Sequence, residues 1–191
     1  IGIAGGHISS ETVNGVVALK RNEVMQADIQ RAIETARAAA VVGSGRRVLH
    51  VLPREFIVDD QEGIRDPVGM SGSRLEVDVH IVTGAVTSAR NLVKCVDRAG
   101  LGVIDIVLQP LASSEAVLSE EEKELGIAMV DLGGGTSDLA IFSDGTISHT
   151  AVIPVGGQHL TTDLQIGLRT SLADAEQIKI RHGSALSSMV K

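Results

Sequence analysis

Eight consecutive residues hold most of the chemical information in this chain: Asp131-Leu132-Gly133-Gly134-Gly135-Thr136-Ser137-Asp138. Three successive glycines are free to adopt positive φ and leave their backbone amides uncovered. A run of uncovered N–H groups forms a concave anion site. An acidic residue stands on each side of it. A carboxylate beside a phosphate is repulsive unless a divalent cation lies between them. The pattern therefore points to a magnesium nucleotide, with Asp131 and Asp138 holding the water shell of the ion. A flexible hairpin turn is the plainer use of such glycines, but acids at both edges together with Thr136 favour the phosphate reading. Two common phosphate loops are excluded by context. A Walker loop needs Gly-Lys-Ser/Thr at the start of a helix, and a dinucleotide fold also needs a helix after its glycines. Here Leu139-Ala140-Ile141-Phe142 follows and reads as a strand.

The elements around this loop set its position. Gly126 to Val130, Leu139 to Phe142 and Thr146 to Ile153 read as strands, with Asp144-Gly145 as a hairpin turn between the last two. Gly156 to Leu168 and Leu172 to His182 read as helices, and Ser119 to Glu124 as an exposed acidic linker. Upstream, Pro110 to Leu118 is a short helix and Val103 to Leu108 a buried strand. A further helix is expected from an N-cap at Thr87 to a stop at Gly100. The first part of the chain reads as α+β. Strands are expected at Ile1 to Ile8, Thr12 to Leu19, Val48 to Leu52, Glu55 to Val58 and Arg74 to Val82. Pro53 breaks one pair of them, Gln61 to Gly69 is a loop, and a helix runs from Gln26 to Val42.

Composition narrows the function. Of 191 residues, 43% are hydrophobic but only 1% aromatic, so the core is aliphatic. Base stacking on aromatic platforms is excluded, and a net charge of −7 argues against a nucleic-acid partner. The single cysteine, Cys95, cannot form an internal disulfide, which fits a reducing cytoplasm. No segment reaches the length of a membrane-spanning helix. The six histidines show no zinc-site spacing. The chain starts at Ile1 inside an apolar run, and both ends read as cuts in a longer protein.

The glycine string resembles the second phosphate motif of the actin-like ATPase superfamily, which includes actin, sugar kinases and chaperones. Other blocks narrow the resemblance to the FtsA family of bacterial cell-division proteins. They are Leu49-His50-Val51-Leu52-Pro53-Arg54-Glu55-Phe56, Gln61-Glu62-Gly63-Ile64-Arg65-Asp66-Pro67-Val68-Gly69-Met70-Ser71-Gly72, His149 to Gly157, and Arg181-His182-Gly183. The resemblance implies an α/β fold built from partial ribonuclease H-like subdomains 1A and 2A, with an FtsA-type α+β insert, subdomain 1C. Residues 1–9 would end a strand of 1A, 10–81 would be 1C, 82–123 the rest of 1A, and 124–191 the first part of 2A.

The resemblance also implies roles. Gln109 would orient the metal's water or the attacking water, although a polar residue at a strand end also simply faces solvent. Asp131 and Asp138 would serve the metal or the attacking water, Asp131 through a water on Mg²⁺. Gly133, Gly134, Gly135 and Thr136 would hold phosphate oxygens. Gly156 and Gly157 would approach the nucleotide or pack strand against helix. Glu176 and Lys179 would reach the nucleoside, while the same spacing is also a common surface ion pair. The implied cofactors are ATP and Mg²⁺, with slow hydrolysis at most. The implied partners are FtsZ, further copies in actin-like filaments, later division proteins through 1C, and the inner face of the cell membrane at the septum through a C-terminal helix absent from this chain. The N-terminal phosphate motif and the C-terminal adenosine motif of the family are likewise absent. A pilus-assembly relative of the PilM type and an actin-fold kinase are the alternatives.

Overall fold

Alternation of Leu75, Val77, Val79 and Ile81 with polar residues organises the first half of the chain. In the computed structural model, which describes residues 1–186 and 188, these four side chains are fully buried on strand β5 (Arg74–Ala85). β5 is a central strand of a four-stranded sheet. Its neighbours are β2 (Ser9–Ala18) on one side and β3 (Arg46–Val58) on the other, with short β4 (Gln61–Ile64) beyond β3. Every pairing in this sheet is antiparallel. Helix α1 (Gln26–Ala39) lays Ile29, Ala32 and Ala36 over the sheet. The helix crosses β2 so closely that a Cβ on Gly15 would lie 2.1 Å from the Ala32 carbonyl oxygen.

Three expectations change here. Pro53 does not break a strand. β3 runs through it with register shifts on either side, because β4 pairs only with Phe56 and Val58 and leaves that edge open at Pro53. A proline without an N–H is tolerated at such an edge. The start of the expected loop, Gln61 to Ile64, is instead β4. Finally, β5 continues to Ala85 and passes straight into α2 (Val86–Arg98). The N-cap is Ala85 rather than Thr87, and the Gly45 carbonyl accepts the Val86 N–H at 2.9 Å. Gly100, at φ 78°, follows the helix as expected.

β1 (Gly2–Ile3) pairs in parallel with β6 (Val107–Leu108), so both expected strands shrink to two residues. Ile3, Ile8, Val82, Ala89 and Leu108 form a second core around them. Helix α3 (Gln109–Val117) follows, with Pro110 in its first turn. The acidic stretch read as a linker is helix α4 (Glu120–Leu125). A reciprocal cap starts it: Ser119 Oγ accepts from the Glu122 N–H, and Glu122 accepts from the Ser119 N–H. Lys123, only 4% exposed, holds α4 in place through Glu115 at 2.7 Å and Glu120 at 2.9 Å, with its ammonium 5.9 Å from the centre of the Phe142 ring. β7 (Ile127–Leu132), β8 (Ser137–Ser143) and β9 (Thr146–Ile153) form an antiparallel sheet in that order. Asp144 and Gly145, at φ 53° and 73°, make the tight hairpin their types require. Helices α5 (Gly157–Leu168) and α6 (Leu172–His182) complete the described chain.

Polar bridges join the four-stranded unit to the rest. Arg65 makes a two-pronged ion pair with Glu124 on α4. His50 Nε2 accepts the Leu108 N–H at 2.9 Å. His80, 1% exposed, donates from Nε2 to Thr150 Oγ1 at 3.0 Å, and Thr150 donates onward to Ser10 Oγ at 2.9 Å. That order of donors leaves His80 Nδ1 bare and without a partner among the described residues. Burial, with the charges of His149 and Arg54, lowers the His80 pKa to about 4 from its ordinary 6.5. Below the ordinary value the unfolded chain takes up a proton that the folded chain refuses until about pH 4, so stability is full above this window and falls through it. Urea unfolding at stepped pH should show a loss of at most about 3 kcal/mol from this residue, and His80→Gln should remove that share of the slope, leaving the part from His7 and His50, whose pKa values burial also lowers.

Candidate functional site

The β7–β8 register fixes the site. Asp131 pairs directly with Asp138, and Leu132 with Ser137. Gly133 then donates its N–H to the Thr136 carbonyl at 2.9 Å, closing the hairpin. Directly paired residues project to one face of a sheet, so the two acids face each other. Met129 and Ala140, each two residues back, are buried on that same face. Helix α3 supplies the rest: Gln109 Nε2 donates to Asp131 Oδ2 at 3.3 Å, and Ser113 Oγ donates to the same oxygen at 2.9 Å. Ser113 was not singled out in the sequence, although it lies one turn beyond Gln109 and shares its helix face. Asp138 is 2% exposed. Its Oδ2 accepts from Thr136 Oγ1 at 2.8 Å, while its buried Oδ1 has no partner among the described residues.

The glycines act differently from the sequence expectation. None of Gly133, Gly134 and Gly135 has a left-handed φ. Their value is the direction of their peptide groups. Gly157 N–H donates to the Gly133 carbonyl at 3.0 Å, and Gln158 N–H to the Gly134 carbonyl at 2.8 Å. In a trans peptide the carbonyl and the following N–H point opposite ways. Turning those two carbonyls toward α5 therefore turns the amides of Gly134 and Gly135 away from it. Among the described residues neither amide, nor that of Thr136, has a protein acceptor. A Cβ on Gly134 or Gly135 would meet nothing within 4 Å, so no side chain or backbone crowds the tip of the loop at these two positions.

Gly156 and Gly157 sit behind this loop. A Cβ on Gly156 would lie 2.6 Å from the Gly133 carbonyl oxygen and 2.7 Å from the Gly134 carbonyl carbon. The Gly156 N–H is taken by His159 Nδ1 at 3.0 Å, and that of Gly157 by the loop. The amides of both glycines are thus committed to protein acceptors. Glu176 and Lys179 reach the same end of α5. Lys179 Nζ donates to the Gly157 carbonyl at 3.1 Å and to Thr161 Oγ1 at 2.9 Å, and forms an ion pair with Glu176 Oε2 at 2.8 Å. Thr161, buried and also not anticipated, donates to Glu176 Oε2 at 2.5 Å. Lys179 first, then Thr161, holds the Glu176 carboxyl below the ordinary carboxylate range. The structure therefore brings Gln109, Asp131, Thr136, Asp138, the glycines, Glu176 and Lys179 into one connected set.

Comparison with known proteins agrees with this architecture. Residues 5–83 match the family model described as the SHS2 domain inserted in FTSA, and residues 128–191 match the model of cell division protein FtsA. The cell division protein FtsA of Pseudomonas aeruginosa is 51% identical over 99% of this chain, and those of Escherichia coli and Bacillus subtilis are 44% and 43% identical over 100% and 97%. The chain belongs to the FtsA family. It spans about half the length of these relatives: 45%, 45% and 42%. The solved PilM-PilN type IV pilus biogenesis complex superposes with a TM-score of 0.65 over 93% of this chain and 48% of that one, at 14% identity, a likeness of fold alone. The fold is a partial actin-like fold carrying the FtsA insert. Among the described residues no helix is long and apolar enough to cross a membrane.

Proposed function

We propose that the β7–β8 hairpin is one wall of an ATP site in an FtsA-type division scaffold. The observation that carries this reading is the pairing of outward amides at Gly134 and Gly135 with two opposed acids, one of which keeps a buried oxygen, Asp138 Oδ1, without a partner. Such a set fits a phosphate tail with its magnesium: N–H groups for the anion, acidic oxygens for the water shell of the ion. Bound Mg²⁺ would supply the positive charge that lets phosphate and carboxylate share the site. The amides of Gly134, Gly135 and Thr136 take phosphate oxygens. Asp131 stays aimed because Gln109 and Ser113 fix its Oδ2. Gln109, next to Asp131, orients a water in the cleft. Glu176, whose contacts among the described residues fall on Oε2, offers Oε1 to the nucleoside end.

On this reading the nucleotide state sets cleft closure and self-assembly, and turnover is slow. The whole protein ties FtsZ to the inner face of the bacterial membrane at the septum, and its insert meets neighbouring copies and later division proteins. Titration of the full-length protein with ATP tests the core of the proposal. Affinity should require Mg²⁺ and should collapse on chelation, and sedimentation with FtsZ should depend on the C-terminal tail of FtsZ. Binding of ATP that ignores Mg²⁺ would remove the acids from the site, and failure to associate with FtsZ would remove the division partner.

A further inference from the structure

We infer that Ser137 and His159 are positioning residues of the phosphate loop, acting together on the peptide unit between Val155 and Gly156. The inference rests on the nucleotide reading above and adds two residues to it. The carbonyl oxygen of that unit, on Val155, accepts from Ser137 Oγ at 2.7 Å. Its N–H, on Gly156, donates to His159 Nδ1 at 3.0 Å. In a trans peptide these two groups point opposite ways, so the two side chains grip one rigid plate from both sides. A single hydrogen bond leaves such a plate free to swing about the bonded atom, whereas bonds on opposite edges fix its plane. Ser137 comes from β8, inside the Asp131–Asp138 string, and His159 from the first turn of α5.

The plate matters because the phosphate loop leans on the residues that follow it. Gly156 is the N-cap of α5 and has no side chain of its own to cap the helix. His159, the third residue of α5, reaches back to the Gly156 N–H, a place held in many helices by glutamate or glutamine. Its own N–H returns to the Gly156 carbonyl at 3.0 Å. An imidazole that accepts on Nδ1 carries its proton on Nε2 and is neutral, so this cap adds no negative charge behind a loop meant for phosphate. With Gly156 held, the next two amides are aimed at the loop: Gly157 N–H at the Gly133 carbonyl and Gln158 N–H at the Gly134 carbonyl. Those bonds turn the amides of Gly134 and Gly135 away from α5. The contact is tight, since a Cβ on Gly156 would lie 2.6 Å from the Gly133 carbonyl oxygen. A rotation of the plate therefore moves Gly156 against the loop and spoils the aim of both donors.

Single and paired changes in the full-length protein test the clamp. His159→Leu and Ser137→Ala should each weaken Mg-ATP by about fivefold, the scale of one hydrogen bond, and AMP, whose tail is shorter, by less than about twofold. The double variant should lose little more than either single one, well short of the roughly twenty-five-fold product, because both bonds fix one plane. His159→Gln and Ser137→Thr keep the acceptor and the donor, and each should stay within about twofold of the unaltered protein. Without nucleotide, the two disruptive changes should speed amide hydrogen exchange in peptides covering 133–136 and 156–159. Losses that multiply in the double variant, equal losses of ATP and AMP, or His159→Gln as weak as His159→Leu overturn the clamp while the nucleotide site stands. If the unaltered protein binds neither nucleotide, the nucleotide reading falls, and exchange in the same variants still decides: faster exchange in the loop keeps the clamp, and unchanged exchange overturns it.

Discussion

Asp138→Asn should make the protein more stable and strip its Mg²⁺-dependent hold on ATP. Asp138 is 2% exposed, faces Asp131 across the β7–β8 ladder and leaves Oδ1 without a partner. Like charges directly opposite each other destabilise a sheet, and a buried polar atom without a partner costs about 1–3 kcal/mol. Asn keeps the shape, keeps an oxygen for the Thr136 hydroxyl, and turns an N–H toward the acid opposite. A gain of about 1 kcal/mol follows, or roughly 2–4 °C in melting temperature. In the proposed Mg-ATP site the same change would remove a group that orders the water around the ion, and losses of this kind are about 10–100-fold in metal-dependent affinity. Thermal melts without nucleotide and Mg-ATP titrations read the two arms. A variant that melts lower and binds ATP normally would make Asp138 a structural residue and sink the site.

The other large effect lies outside the site. Gly15→Ala should destabilise the insert by about 3 kcal/mol, near the upper end of the usual overpacking cost. The added methyl would sit 2.1 Å from the Ala32 carbonyl oxygen, 2.7 Å from the Ala36 nitrogen and 2.9 Å from the Ala36 Cβ. Two of these are backbone atoms inside α1, so no side chain can swing aside. Either α1 lifts from β2 or the strand bows away, and in both cases Ile29, Ala32 and Ala36 lose their fit over the sheet. Denaturant unfolding should show the loss, and hydrogen exchange should place it in residues 26–39. An unchanged midpoint would mean that α1 does not lie as close to β2 as described.

The β7–β8 hairpin was legible because its signals are local: two acids, a glycine run, then a strand pattern. α4 was missed because the charge of Glu120-Glu121-Glu122 outweighed the Ser119–Glu122 cap, and because the burial of Lys123 depends on Phe142, which is distant in sequence. Ser113 and Thr161 were missed for a related reason: each matters through a partner on another element, Asp131 for one and Glu176 with Lys179 for the other. The glycine run forms the turn between two strands, but none of Gly133, Gly134 and Gly135 takes the left-handed φ that their type permits. Composition allows positive φ, but only the packing of α5 decides which way their peptides face. Short strands such as β4 depend on a neighbour's register, which no single segment encodes.

Strand β5 has Ile81 in the core of the insert and Val82 in the core beneath β1 and β6. It pairs with β2 over ten residues, Ser9 opposite Thr83 through to Ala18 opposite Arg74, and with β3 along its other edge. A pull on the insert along this axis loads those rungs in shear, all at once, instead of peeling them one by one. The insert is thus fixed to the body of the protein by a tie-rod.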